Sequence, residues 1–455
     1  MSTEHLPFCI VGAGPSGLAA ARNLLRERIP FEVLESHTGV GGIWDRSNRR
    51  SSVYPTTHTI TSKTVTAYSD FPFPEEAPIY PRHDQVLEYL RAYARQAGVT
   101  PYIRFGREVT EIRRDGGAWR VGTADGRTGR YRGVIVANGH NWMPSVPAYP
   151  GTFEGPTLHS SEYQDSRAFA GRNVLVVGAG NSGCDIAVDA ATEARRVLLS
   201  MRRGYYFVPK FIAGLPPDVL AQSSQSTRMP LWITRLGFRA LLRVSLGRPE
   251  GYGLPAPDHR LLESPPIVNS LLPYHVAHGR VAVKPDVRRL CGDHVEFTDG
   301  SRERVDAIVH ATGFQVSIPF ATPEDLNWKE RGPELYLMAF HPRHDDFFVA
   351  GLTDGTGGHF PTVELQTRLI ALYIRGLEAG DPAAQRLAAA KRSSRVDLSR
   401  GIKFIDSPRS FTQFELATYT RHLRKLIRSL ERAPSRRAPS RRSGHVSDRP
   451  QETFA

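Results

Sequence analysis

The chain has 455 residues, 40% of them hydrophobic, and only three cysteines, which allows two or three domains with buried cores and excludes a disulfide scaffold. Cys9, Cys184 and Cys291 are far apart, so there is no CxxC redox pair and no thiolate metal site, and a reducing, cytoplasmic compartment is expected. The formal charge of +13 is concentrated at one end, where residues 421–455 hold ten Lys or Arg against three acids; a nucleic-acid surface is not the reading this favours.

The N-terminus carries no basic leader, and no apolar run approaches the roughly 18 residues of a spanning helix. Phe8-Cys-Ile-Val runs into Gly12-Ala13-Gly14-Pro15-Ser16-Gly17, a helix-forming stretch over Leu18 to Arg28, and a second apolar run, Phe31 to Leu34. In such a turn the first glycine permits the tight bend, the second lets backbone approach a pyrophosphate, and the third packs helix on strand. Glu35 closes the second run 23 residues after Gly12, where an acid that accepts a ribose hydroxyl is expected.

Asp84 to Ala97 reads as a helix stopped by Gly98, and Val109 to Arg113 with Trp119 to Thr123 alternate as antiparallel strands do. Gly133 to Gly139 and Asp306 to Gly313 are apolar runs ending in small residues, as buried parallel strands beside a ligand often end. Between them a second motif, Gly178-Ala-Gly180-Asn181-Ser182-Gly183, repeats the strand, turn, helix, strand pattern. Here the acid's place is taken by Met201, with Ser200 before it and Arg202 and Arg203 after. Arginine suits a 2′-phosphate, so NADP is favoured at the second turn. Two dinucleotides on one chain imply electron transfer, with FAD at the first turn and NADPH at the second.

The expected fold is therefore α/β, two nested Rossmann-like dinucleotide-binding domains of three-layer ββα/βαβ type. The FAD domain takes residues 1–165 and 316–430 and the NADPH domain is inserted as 166–315. A lid-like insertion spans 205–269, and a disordered basic tail with an APSRR repeat spans 431–455. In the insertion, Leu231 to Gly247 reads as a helix with Arg235, Arg239 and Arg243 on one face. The expected arrangement is a soluble lid with its apolar face on the core and its arginines solvated; peripheral membrane contact is the alternative.

These residues resemble the flavin-containing monooxygenase family from about Pro7 to Leu430. The family fingerprint FxGxxxHxxxY/F is matched by Phe153, Gly155, His159 and Tyr163. Gly41-Gly42-Ile43-Trp44, Tyr68 to Pro74, Ala311-Thr312-Gly313 and Phe360 to Gln366 follow the family order. The resemblance implies that NADPH reduces FAD, that dioxygen then gives a C4a-(hydro)peroxyflavin shielded by retained NADP+, and that nitrogen or sulfur of a small substrate takes one oxygen atom. It further implies flavin contacts from Gly42, Ile43, Trp44, Thr61, Val109 and Gln366. Baeyer-Villiger oxygenation of a ketone is the alternative, disfavoured by Tyr163 where those relatives usually have tryptophan; an uncoupled NADPH oxidase or reductase is another.

One departure stands out, since Ile60 falls where the family usually has an asparagine that supports the oxygenated flavin, and isoleucine donates no hydrogen bond. His58, or Ser62 and Lys63, are candidates to substitute. His159 is open between a catalytic role and coupling of the two domains. The expected partners are a small-molecule substrate and O2, with no nucleic acid and no metal.

Overall fold

The structure is a computed structural model describing residues 5–225 and 229–432; the APSRR tail lies outside the described residues, after Arg432. Fully buried runs without polar alternation form the centre of a parallel sheet, because helices or loops cover both of its faces. Strands β1 (Phe8–Val11), β2 (Phe31–Leu34), β3 (Ile103–Arg104), β4 (Gly133–Val136) and β10 (Phe347–Val349) make such a sheet, in the order β10-β4-β1-β2-β3 and parallel throughout. Helix α1 (Pro15–Arg26) follows β1 with Pro15 in its first turn, where a missing N–H costs nothing. It is fastened to α6 (His359–Glu378) by Asn23, whose amide donates to the Thr367 hydroxyl at 2.9 Å. Helix α2 (His83–Gln96) ends at Gly98, which has φ +69°. The expected antiparallel excursion is present as Val109–Asp115, Ala118–Thr123 and Thr128–Tyr131.

A second five-stranded parallel sheet has the order β5 (Thr157–His159), β9 (Ala307–His310), β6 (Asn173–Val177), β7 (Arg196–Ser200), β8 (Val281–Lys284). Helix α3 (Asn181–Ala190) follows β6. The changeover comes earlier than residue 165. Strand β5 already belongs to the second sheet, and Gly151–Phe153 pairs with the Val287–Gly292 strand. Three-residue edge strands carry no periodicity, which is why the sequence placed this segment with the first domain. The two connections between the sheets run side by side, Met143–Pro144 pairing antiparallel with Phe314–Gln315. The chain then returns through β10, and α6 and α7 (Leu416–Glu431) pack over the first sheet.

The insertion after β7 contains α4 (Pro217–Gln225) and α5 (Leu231–Leu246). The expected lid with its apolar face packed inward is only partly present, for Leu242 is the one fully buried residue of α5. Nor are its arginines uniformly solvated: Arg235 is held inside, its Nε donating to the Leu261 carbonyl at 2.9 Å.

Candidate active site

The first glycine turn behaves as its spacing predicts. Gly12 has φ +105°, and a Cβ there would meet the Ala137 carbonyl oxygen at 2.7 Å; a Cβ on Gly17 would meet the Gly12 carbonyl oxygen at 1.8 Å. Only glycine fits either place. Gly14 is the N-cap of α1 and offers no capping side chain, so the first backbone N–H groups of the helix remain open to an anion. Glu35 is buried, with one carboxylate oxygen accepting the Ala13 N–H at 2.6 Å and the other the His37 N–H at 2.7 Å.

A cleft opens beside this turn, lined by Glu35, Arg107 and Val109 and by Gly42, Ile43, Trp44, Thr59, Ile60 and Thr61. The segment after β10 also lines it, including Thr353, Asp354 and Gly358, with the uncapped N-terminus of α6. Pro15 and Ser16 also line it. Three wall residues, Thr59, Asn141 and Thr353, each hold a buried side-chain oxygen with no hydrogen-bond partner. Buried polar atoms are normally satisfied, so three orphans lining one cavity fit a polar ligand. A cleft whose lining includes the first glycine turn and a buried acid has the composition a flavin dinucleotide requires.

His140 and His359 line the same cleft, their rings 6.4 Å apart. Burial pushes the His359 imidazole down to about 4, partly offset by Asp354. His140 is held well below its ordinary value, first by burial and then by Arg409 and His359. Both are neutral at pH 7.

Not every predicted residue reaches this cleft. His58 is exposed, with Nδ1 2.7 Å from the Thr56 carbonyl oxygen, and it is not part of the lining. Lys63 is held by the carbonyls of Glu75 and Ala77, each at 2.6 Å, and pins its loop. Ser62 donates its N–H to Asp218 of α4 at 2.6 Å. Ile60 does line the cleft and is 45% exposed. Gln366 lies behind the wall, its Oε1 accepting the Gly351 N–H at 2.8 Å and its amide donating to the Tyr419 hydroxyl at 2.8 Å. It holds the backbone that the cleft uses.

His159 is away from the cleft as well. Its Nδ1 accepts the Ser161 N–H at 3.2 Å, so Nε2 carries the proton and donates to the Gly313 carbonyl at 3.0 Å. Its ring sits edge-on to Phe314. The histidine therefore ties β5 to the outgoing connection between the sheets, a contact that leaves no ring nitrogen for chemistry.

The second glycine turn repeats the first. Gly178 has φ +101°, and a Cβ on Gly183 would lie 1.9 Å from the Gly178 carbonyl oxygen. Gly180 caps α3 and has nothing within 4 Å of its Cβ position. Arg202 is exposed and forms no hydrogen bond or ion pair among the described residues, while Arg203 faces Asp258 at 3.6 Å. Two other candidates are engaged with protein. Ser200 donates its hydroxyl to the Pro285 carbonyl at 2.9 Å, and Asn181 Oδ1 accepts the Val268 N–H at 2.8 Å.

Sequence reading missed Thr59, His140, Asn141, Thr353 and His359. His140 and Asn141 directly follow the Gly133 to Gly139 run already singled out, and His359 directly precedes Phe360, so adjacency was the available signal.

Comparison with known proteins agrees with this architecture. The family model described as flavin-binding monooxygenase-like matches residues 7–432. Flavin-containing monooxygenase 5 of Oryctolagus cuniculus is 31% identical over 431 residues, covering 89% of this chain and 79% of that protein. Among solved structures, S-allyl-L-cysteine S-oxygenase from Allium sativum superposes with a TM-score of 0.64 at 22% identity, covering 93% of this chain and 88% of the other. An open crystal structure of cyclohexanone monooxygenase gives 0.65 at 18% identity, covering 94% and 97%. At those identities the two structures speak for the fold.

Proposed function

The chain belongs to the flavin-binding monooxygenase-like family, an FAD- and NADPH-dependent monooxygenase, and we propose that its substrates are small, mostly apolar molecules with an oxidisable nitrogen or sulfur. We assign FAD to the cleft at Gly12 and NADPH to the turn at Gly178. When bound, FAD supplies the redox chemistry, accepting electrons from NADPH and passing them to dioxygen. The protein's share is binding, orientation and exclusion of water.

In this reading the N–H groups around Gly14 hold the pyrophosphate and Glu35 takes the ribose. Thr59, Asn141 and Thr353 offer their free oxygens to the cofactor, while Trp44, Phe360 and Phe414 supply apolar wall. Arg202, without a hydrogen bond or ion pair among the described residues, takes the 2′-phosphate of NADPH. The substrate's own lone pair serves as nucleophile, so no activated serine or thiol is needed. Neither Cys9 nor Cys184 lines the cleft, and burial pushes both thiols well above their ordinary range, which argues against a disulfide reductase.

The observation that carries the reading is the set of three orphaned oxygens lining a cleft that contains the first glycine turn. To test it, the purified protein is mixed anaerobically with NADPH or NADH, then given oxygen with substrates offering only a thioether, only a tertiary amine, or only a ketone. Bleaching by NADPH and an S- or N-oxide product are expected. A lactone or ester from the ketone alone would move the assignment to Baeyer-Villiger chemistry, and an unbleached flavin would end it.

Ile60 favours a second reading about coupling. Its side chain lines the cleft without a donor for the cofactor, so the wild type should release hydrogen peroxide alongside product. Ile60→Asn should lower peroxide per NADPH consumed by about threefold or more, the effect of about one restored hydrogen bond. An unchanged ratio would mean that the position does not control coupling.

A further inference from the structure

Helix α5 has two unlike faces. Phe238, Leu242 and Leu246 turn toward the body of the insertion, where buried Leu242 packs with Val208 and Leu261. Arg235 joins them, its guanidinium bonding Leu261 and facing Glu263 at 3.4 Å. On the other side Trp232, Leu236, Ala240 and Val244 follow one another at four-residue intervals, which forms a continuous ridge on a helix. Trp232 is 67% exposed, Leu236 62% and Val244 87%. Single exposed apolar side chains need no explanation, but a ridge of them led by a tryptophan marks a contact surface.

The charge beside the ridge selects what it contacts. Arg239 and Arg243 run along one flank and Arg248 follows the helix; all three are exposed and enter no ion pair among the described residues. No Asp or Glu occurs between Pro230 and Pro249. A second copy docked about a twofold axis would set these arginines against their own counterparts with no acid to receive them. A surface that accepts apolar side chains and presents phosphates satisfies both halves of the pattern. At 16 residues with three arginines, α5 is too short and too charged to span a bilayer.

We propose that α5 docks on the face of a bilayer bearing anionic headgroups, with the Trp232–Val244 ridge at the headgroup and acyl boundary and Arg239, Arg243 and Arg248 among the phosphates. The docking helix is joined to the cleft. Asp218 of the preceding helix accepts the Ser62 N–H, two residues from Ile60 at the cleft wall. A molecule dissolved in the membrane would thus be released near the cleft, a consequence that rests on the monooxygenase reading; the docking itself does not.

The test is sedimentation of the full-length holoenzyme with vesicles of phosphatidylcholine alone or mixed with phosphatidylglycerol. Binding to the mixed vesicles is expected, at least about tenfold weaker to the neutral ones and weakened by salt. Brominated acyl chains should quench Trp232 in bound wild type. The triple variant Trp232→Ser, Leu236→Ser, Val244→Ser should lose binding by at least about tenfold while keeping its flavin and melting temperature, because these side chains are exposed. A chain truncated after Arg432 should still bind. The proposal is overturned if the triple variant binds like wild type, if binding is lost with the tail and not with the ridge, or if wild type ignores anionic vesicles. It is equally overturned if light scattering finds a dimer that the triple variant dissolves, which would make the ridge a subunit interface.

Discussion

The two glycine turns share one backbone and differ in what surrounds it. At the first, a Cβ on Gly14 would lie 3.6 Å from the Cα of Gly42, so a second loop roofs the turn; at the second, Gly180 has open space. The first is followed by a buried acid already bonded to its own turn, the second by an exposed arginine with no hydrogen bond or ion pair among the described residues. Identical phosphate-binding geometry is thus built once into a walled cleft and once onto an open face. The walls suit a cofactor that stays, and the open face suits one that arrives, reacts and leaves.

The largest expected effect breaks the first turn alone. A methyl on Gly17 would sit 1.8 Å from a backbone oxygen, so Gly17→Ala must shift the helix off the strand at a cost on the order of 3 kcal/mol. The purified variant should lack flavin absorbance and melt lower. Gly180→Ala, with empty space at its Cβ, should keep both fold and flavin and raise the KM for NADPH. If Gly17→Ala retains full flavin, the first turn is not the FAD site.

Acid should separate the sites next, with opposite signs. His359, in the wall of the first, is depressed to about 4, so its stabilising share is complete above about pH 6.5 and is lost as pH falls toward 4, on the order of 3 kcal/mol in all. Asp185, on α3 after the second turn, is raised to about 6 by burial, with Lys210 opposing. Its neutral form suits the fold, so a penalty of similar size is relieved progressively as pH falls from about 6 toward 4. Flavin fluorescence, which reports free cofactor, should rise as pH falls from 7 to 5, and His359→Gln should flatten that rise. An equal rise in the variant would acquit His359.

These contrasts show which parts of the site the sequence could express. Glycine turns write their geometry directly in glycines, so the bends at Gly12 and Gly178 and the place of Glu35 beside the first were legible. The far wall of the cleft was not, because Thr353 and His359 arrive from more than 300 residues away through β10, and no local pattern announces such a meeting. The 58–63 loop was legible only in outline. Ile60 lines the cleft while His58 and Lys63 turn to nearby carbonyls, and one residue of register decides between ligand and pin. Helix α5 defeated periodicity for another reason: it carries large apolar residues on both faces, so its pattern could not say which face the body covers.

Dinucleotide choice should change next. Arg202→Ala removes the unpaired guanidinium, and a charge-assisted contact of about 1.5–3 kcal/mol predicts roughly a 10- to 100-fold fall in kcat/KM for NADPH with little change for NADH. Arg203→Ala should do less, since Arg203 already faces Asp258. Equal losses with both coenzymes would mean that Arg202 supports the fold of the open face and does not select the phosphate.

The smallest effect concerns the joint between the two sites. His159 bonds Gly313 from Nε2 and accepts from Ser161 at Nδ1, and burial lowers its pKa, so it works as a neutral clamp between β5 and the returning connection. His159→Gln offers an amide donor near the same place, whereas His159→Ala leaves the Gly313 carbonyl without this donor, at a cost of about 1 kcal/mol. Both variants should bind FAD. If the clamp only stabilises, His159→Ala melts earlier and its flavin is reduced by NADPH at the wild-type rate. If it sets how the open face approaches the walled one, reduction slows in His159→Ala and recovers in His159→Gln. Since the two connections carrying Met143–Pro144 and Phe314–Gln315 are the paired strands that join the sheets, a change at Gly313 is passed to both, and the second outcome is the one expected.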